Sequence, residues 1–286
     1  PVEVSAGVGY SGGTAPIKKA EPSNVNKPVM CNSYDEFVAA FGYVPAKADS
    51  ASGLNKFEYT LSEFAQAAFS LFSVKPVIAV NVLDPTKHKK TADTTSVTLD
   101  AKTGSATIAE TGIILSSISL AQSSGGAYTA GTDFIASFDS DGNLVITSLS
   151  DDDGFKCATA EALTFSADKL DPSKVTEDEI IGGVDVSGNK SGFELVHDCF
   201  PRFRLTPGIL LAPGFSHSAS VAAVMATKCT SINTLFKAVC VVDVPTESVK
   251  SYNNVADWKN THNVVDPNHT VGWPFSTMEG SVMNFS

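Results

Sequence analysis

Apolar residues recur along the chain in two rhythms. From about residue 33 to 90, and again beyond 171, they come at helical spacing or in unbroken runs. Between residues 91 and 170 they alternate in short stretches among Ser, Thr, Ala and Gly. Ser33-Tyr34-Asp35-Glu36 is a capping-box sequence, followed by Phe37, Ala40 and Phe41 at helical spacing and a stop at Gly42. Thr60-Leu61-Ser62-Glu63 is a second such box, and Leu61, Phe64, Ala65, Ala68 and Leu71 form one stripe of a helix that ends near Phe72. Residues 75–83 follow as a nearly unbroken apolar run closed by Asp84-Pro85, the pattern of a strand buried on both faces.

The middle region predicts a different fold. Short alternating runs at 97–99, 128–134 and 144–147 read as strands, and Asp141-Gly142-Asn143 reads as a hairpin turn, because Gly and Asn accept positive φ cheaply. Beyond it, Thr176-Glu177-Asp178-Glu179 and Ser191-Gly192-Phe193-Glu194 are two more capping boxes, the second opening a helix expected to stop before Pro201. Residues 208–212 and 238–244 read as buried strands. Between them lies a helix capped by Ser218, with Val221, Val224, Met225, the Lys228 stem and Ile232 inward. Strand, crossover helix and strand make a βαβ unit, which predicts parallel strands joined right-handedly. A last helix is expected over residues 247–259, with Val249, Tyr252, Val255, Ala256 and Trp258 on its apolar face, and the end from 270 onward reads as extended. The fold class is therefore an α/β (α+β) core at 1–90 and 171–286, interrupted by a small all-β domain at 91–170.

Charge sharpens that boundary. The chain of 286 residues carries 31 Asp+Glu against 20 Lys+Arg, a net charge of −11. Residues 91–170 hold eleven carboxylates and three basic residues, so most of the excess sits there. An acidic chain lacks the basic surface that nucleic-acid binding needs, and no apolar run is long enough to span a bilayer. Five cysteines without a CxxC pair fit reduced core residues. Pro1 in place of Met, and a strand-like pattern still running at Ser286, lead us to expect a trimmed product.

Chemical candidates are few. Gly214-Phe215-Ser216-His217-Ser218 lies between a strand and a helix, where α/β hydrolases carry a nucleophile, but the second glycine of G-x-S-x-G is absent. His262 or His269 would have to serve as the base for Ser216. Gly7-Val8-Gly9-Tyr10-Ser11-Gly12 matches the dinucleotide fingerprint literally, yet no helical pattern follows to hold a pyrophosphate. Asp139-Ser140-Asp141-Gly142-Asn143 resembles the opening of a calcium loop, but Ser150 stands where the closing Glu belongs. Asp151-Asp152-Asp153 reads as a solvated loop. The histidines at 88, 197, 217, 262 and 269 show no metal-binding spacing. The reading is of no catalytic, cofactor-binding or metal-binding residues and no cofactor, in a structural or interacting protein.

Several stretches together resemble the contractile-tail sheath proteins of bacteriophages, prophages and phage-tail-like bacteriocins. They are Val25-Asn26-Lys27-Pro28-Val29 with Tyr34-Asp35-Glu36-Phe37 and Phe41-Gly42; Lys75-Pro76-Val77 through Asn81-Val82-Leu83-Asp84-Pro85 and Lys87-His88; and Ile180-Ile181-Gly182-Gly183-Val184-Asp185. The strongest is Phe200-Pro201-Arg202-Phe203-Arg204-Leu205 into Pro207-Gly208-Ile209-Leu210-Leu211-Ala212-Pro213-Gly214-Phe215-Ser216-His217, with Asn233, Phe236-Lys237-Ala238 and Trp273-Pro274 beyond it. The resemblance implies a mechanical function. Subunits would self-associate into hexameric rings and a helical sheath around an inner tail tube, with a baseplate and a tail terminator as further partners. They would assemble in the bacterial cytoplasm and end in the virion tail, and contraction would drive the tube through a cell envelope. It implies no ATP site, no nucleic-acid partner and no membrane insertion. It also implies terminal arms that add strands to neighbouring subunits, so the 286 residues alone are expected to be monomeric. The alternatives are a surface binding or adhesion module using the β insertion and, last, a serine hydrolase using Ser216.

Overall fold

The structure, a computed structural model, describes residues 2–7, 24–48, 55–139, 142–151, 154–278 and 281–283. Six strands, β1 (Val2–Gly7), β2 (Pro28–Cys31), β3 (Val77–Asn81), β4 (Pro207–Leu211), β5 (Val239–Asp243) and β6 (His269–Gly272), form one sheet in the order β6-β5-β4-β1-β3-β2. All neighbours pair in parallel except β2, which runs antiparallel to β3 at one edge. Every residue of β3 is buried, as its unbroken apolar run requires. Its alternation assigns Val77 and Ala79 to one hydrophobic cluster and Ile78 and Val80 to another. The first cluster contains Phe37 and Phe41 of α1 (Tyr34–Phe41) and Leu61 and Phe64 of α2 (Thr60–Ala65). The second contains Ile180 of α3 (Glu177–Ile181) and Val221 and Met225 of α5 (Ala219–Thr230), the helix between β4 and β5. Helices thus cover both faces of the sheet.

Local signals locate most helix ends. Ser33 caps α1 by accepting from Glu36 N at 3.2 Å, while the Glu36 carboxylate reaches one residue further back than a capping box requires, to Asn32 N at 2.7 Å. The stop at Gly42 has φ 71°, and its N–H returns to Val38 O at 2.8 Å. Thr176 N donates to the Glu179 carboxylate at 2.8 Å, closing the box that opens α3.

Five expectations change. Tyr59, not Thr60, is the cap of α2, and Glu63 is buried. The helix then continues as a π-helix at Gln66–Leu71, whose wider turns rotate Leu71 off the predicted stripe and into solvent. The segment at Gly192–Asp198 is a 3₁₀-helix that runs into α4 (Cys199–Phe203), so Pro201 lies inside helical structure rather than after it. It occupies the first turn of α4, where a missing N–H costs no intrahelical bond. The last helix begins late, as a 3₁₀ turn at Tyr252–Asn254 followed by α6 (Val255–Thr261), and Tyr252 is exposed. Finally, the run from 128 to 134 splits into Ala127–Tyr128 and Phe134–Phe138, because Gly131 turns the chain at φ 82°.

The residues between 92 and 167 have their own hydrophobic cluster, including Leu99, Leu120, Phe134, Ile146, Leu163 and Phe165. Ser96–Thr98, Ala162–Ser166, Ser119–Ala121 and Ala127–Tyr128 form a four-stranded sheet, and Ser105–Ile108, Leu144–Ser148 and Phe134–Phe138 a three-stranded one. Where this segment meets the core, Lys89–Thr91 pairs antiparallel with Asp168–Leu170.

Candidate functional site: the loop over the carboxyl ends of the sheet

In a parallel α/β sheet, the carboxyl ends of the strands are where loops converge and sites are built. Here the loop after β4, residues 212–218, stands over that end. Ala212 O accepts from both Phe215 N and Ser216 N at 2.9 Å, and Gly214 turns at φ 79°. The loop is therefore tight, and it buries Ser216 completely while exposing His217. Ser216 Oγ donates to Asp243 Oδ2 at 2.9 Å and accepts from Asp243 N at 2.9 Å. Asp243 ends β5, the strand next to β4, so this pair ties two adjacent strand ends together. A serine sealed from solvent, with a carboxylate and no imidazole as its partner, is a brace and not a nucleophile.

The other candidates resolve in the same way. The His262 ring stacks on Trp258 with centroids 4.4 Å apart, and His269 Nε2 lies 3.0 Å from Ala222 O, so neither is placed against Ser216. His88 is buried, its Nδ1 accepts from Asp84 N at 2.8 Å, and its Nε2 faces Glu179 at 3.5 Å. His197 Nδ1 accepts from Asn233 N at 3.4 Å. The five histidines stand apart, and no group of three metal-ligating side chains occurs among the described residues. The Asp139 carboxylate is engaged by Asn143, which donates from its backbone at 2.9 Å and from Nδ2 at 3.0 Å; this holds the hairpin joining Phe134–Phe138 to Leu144–Ser148. Asp141, Asp152 and Asp153 lie outside the described residues, as do Gly9 and Gly12, while Gly7 ends β1. All five cysteines are buried free thiols; burial, with Glu36 nearby, pushes Cys31 up to about 12, and burial, with Asp198 nearby, does the same for Cys199.

Sequence reasoning missed two features. One is Asp243 as the partner of Ser216, although a parallel pairing of β4 with β5 places the two strand ends side by side. The other is an ion cluster where the 92–167 segment meets the core. Lys169 Nζ lies 2.6 Å from both Asp93 and Glu110 and borders a cleft of about 620 Å³. Burial would raise the Glu110 carboxyl, but the Lys169 ammonium and the backbone N–H groups of Asp93 and Thr94 win and hold it at about 2. Two further clefts, of about 510 and 460 Å³, flank Gly214 and His217. In the first cleft Ser173 Oγ donates to Asp171 Oδ1 at 2.6 Å, a hydrogen bond closed within one turn of chain.

No family model matches the chain. Over 224 residues, 77% of its length, it is 34% identical to the tail sheath protein of Burkholderia phage BcepMu. The chain is homologous to a phage tail sheath protein. It spans 42% of that relative's length. In this sheath homologue Ser216 and Asp243 form a sealed pair, His88, His197, His262 and His269 are engaged in packing or hydrogen bonds while His217 is exposed, and the five thiols are buried. Among the described residues of the sheath homologue, no helix is long and apolar enough to cross a membrane.

Proposed function

We propose that the chain is the core of a structural subunit of a contractile tail sheath, in a virion or a phage-tail-like particle. The observation that carries this is the 34% identity to a tail sheath protein over 224 residues. The absence of a catalytic arrangement around Ser216 supports it. In this reading subunits assemble in the bacterial cytoplasm into six-membered rings, and the rings stack as a helical sleeve around an inner tube between baseplate and terminator. The sleeve is metastable, and its contraction drives the tube through an envelope by exchanging subunit interfaces. The 286 residues alone stay monomeric at ordinary concentrations.

The same proposal assigns residues 1–90 and 171–286 to an α/β core with a right-handed βαβ unit at β4-α5-β5, and 91–170 to an inserted all-β domain on the outside of the sleeve. Its support is the separate hydrophobic cluster between 92 and 167 and the two-stranded ladder at its base. Electron microscopy of the protein expressed from its whole reading frame, over a range of salt, tests the function. Rings or hollow tubes are expected, and dispersed particles under all conditions would overturn it.

A further inference from the structure

The parallel sheet has a chemical polarity along its strand axis. Just before β3, β4 and β5 stand Lys75, Arg204 and Lys237, all exposed. None of the three forms an ion pair among the described residues. Arg202, beside them, pairs only with Asp198 on its own face, at 3.4 Å. The same end carries five of the ten exposed large apolar side chains among the described residues: Leu71, Phe72, Leu235, Val239 and Val265, with Phe72 72% and Leu235 80% exposed. Such clustering is what a covered surface requires, since bare apolar area is removed from water on association. Carboxylates at this end are Asp198, paired with Lys190 and Arg202, Glu194, paired with Lys228, Asp35 and Glu36 toward the β2 edge, and Asp266 before β6; Glu36 and Asp266 are engaged by Asn32 and Asn268.

The opposite end carries exposed cations of its own, Lys27, Lys87 and Lys250, but beside Gly214 it offers carboxylates and an apolar cleft. The two clefts beside Gly214 and His217 form a trough. One half is apolar, lined by Phe57, Pro245 and Phe275, with the Lys56–Glu247 ion pair at 2.8 Å beside it. The other half carries Glu177 and Asp178 from the first turn of α3, exposed and without an ion pair among the described residues.

We propose that the amino end of the parallel sheet of one copy docks into the trough at the carboxyl end of a second copy. Arg204 and Lys237 meet Glu177 and Asp178, while Phe72 and Leu235 cover the apolar half. The choice of a second copy rests on the sheath reading; the match of charge and apolar surface does not. The two surfaces lie at opposite ends of β4, about 17 Å apart for five residues at roughly 3.3 Å each. The contact is therefore head-to-tail, the heterologous kind that closes as a ring or propagates as a helix.

Equal amounts of unlabelled and ¹⁵N-labelled chain, concentrated together and treated with a carbodiimide, would be searched by mass spectrometry for mixed-isotope links. Links from Lys237 to Glu177 or Asp178 are expected to dominate. Reversal at either end, R204E with K237E or E177K with D178K, leaves only like charges at the contact and should abolish mixed links there, since a carbodiimide joins only an amine to a carboxylate. Mixing the two variants should restore them, because each then presents the charge that the other lacks, and restoration also shows that both are folded. Wild-type links no more frequent than at other Lys–carboxylate pairs, or no recovery on mixing, would overturn the contact. Tubes without these links sink this inference alone, whereas these links without tubes leave the contact standing and sink the sheath reading.

Discussion

At the scale of single residues, buried polar groups here hold the scaffold. Ser216 supplies both a donor and an acceptor to Asp243, so Ser216→Ala removes two hydrogen bonds from a buried acid. The expected cost is about 1–3 kcal/mol, read as a lower urea midpoint with unchanged slope; an unmoved midpoint would show that the brace is idle. Glu110 is held at about 2 by Lys169 and two backbone N–H groups, below an ordinary carboxylate. Its contribution to stability is therefore fully present above the unfolded value near 4.5 and is lost as pH falls toward about 2. Glu110→Gln should flatten this acid limb of the stability curve, and an identical pH profile in the variant would refute the assignment. The Lys169–Glu110 pairing had no signal in the sequence, and the Ser216–Asp243 pairing had only the predicted parallel pairing of β4 with β5. Ser216 stood out for its place at a strand-to-helix bend, but Asp243 looked like an ordinary residue at the end of a strand and Lys169 was one of three basic residues in the acidic segment.

Helices and strands were legible where their signals are local. The caps at Ser33 and Thr176 and the stop at Gly42 depend on residues within one turn, and they appear where the sequence places them. The π-helix at Gln66–Leu71 does not announce itself, because its hydrogen bonds reach one residue further without changing the residue types. Close packing between elements is likewise invisible in sequence. Gly182 ends α3 at φ 66°, and a β-carbon there would fall 1.9 Å from Ser191 O, whereas Gly188, at φ 83°, has open space around it. Gly182→Ala is expected to destabilise by well over about 1 kcal/mol, and Gly188→Ala by about 1 kcal/mol from its backbone conformation alone. Comparable melting temperatures for the two variants would contradict the clasp between α3 and the 3₁₀ segment.

For the whole molecule, the question is whether residues 91–170 are a passenger or a part of the core. Thr91 and Asp168 face each other in an antiparallel pair, so a two-residue Asn-Gly turn can close the chain once 92–167 are removed. The hydrophobic cluster that leaves with them is separate from the clusters of the sheet. The shortened protein should therefore retain the cooperative thermal transition of the core. A non-cooperative melt or an exposed-surface dye signal would show that the segment completes the core instead.

Sequence alone determined the two textures of the chain, the buried character of β3, the principal helix starts and the absence of a recognisable catalytic spacing. Each depends on residue type and short-range order, which hydrophobic burial and backbone capping translate directly into local structure. Tertiary structure decided the strand order, the sealing of Ser216 against Asp243, and the placing of Arg204 and Lys237 at one end of the sheet and Glu177 and Asp178 at the other. These depend on which distant segments lie side by side, and that follows from packing the whole chain around a sheet whose neighbouring strands are up to two hundred residues apart.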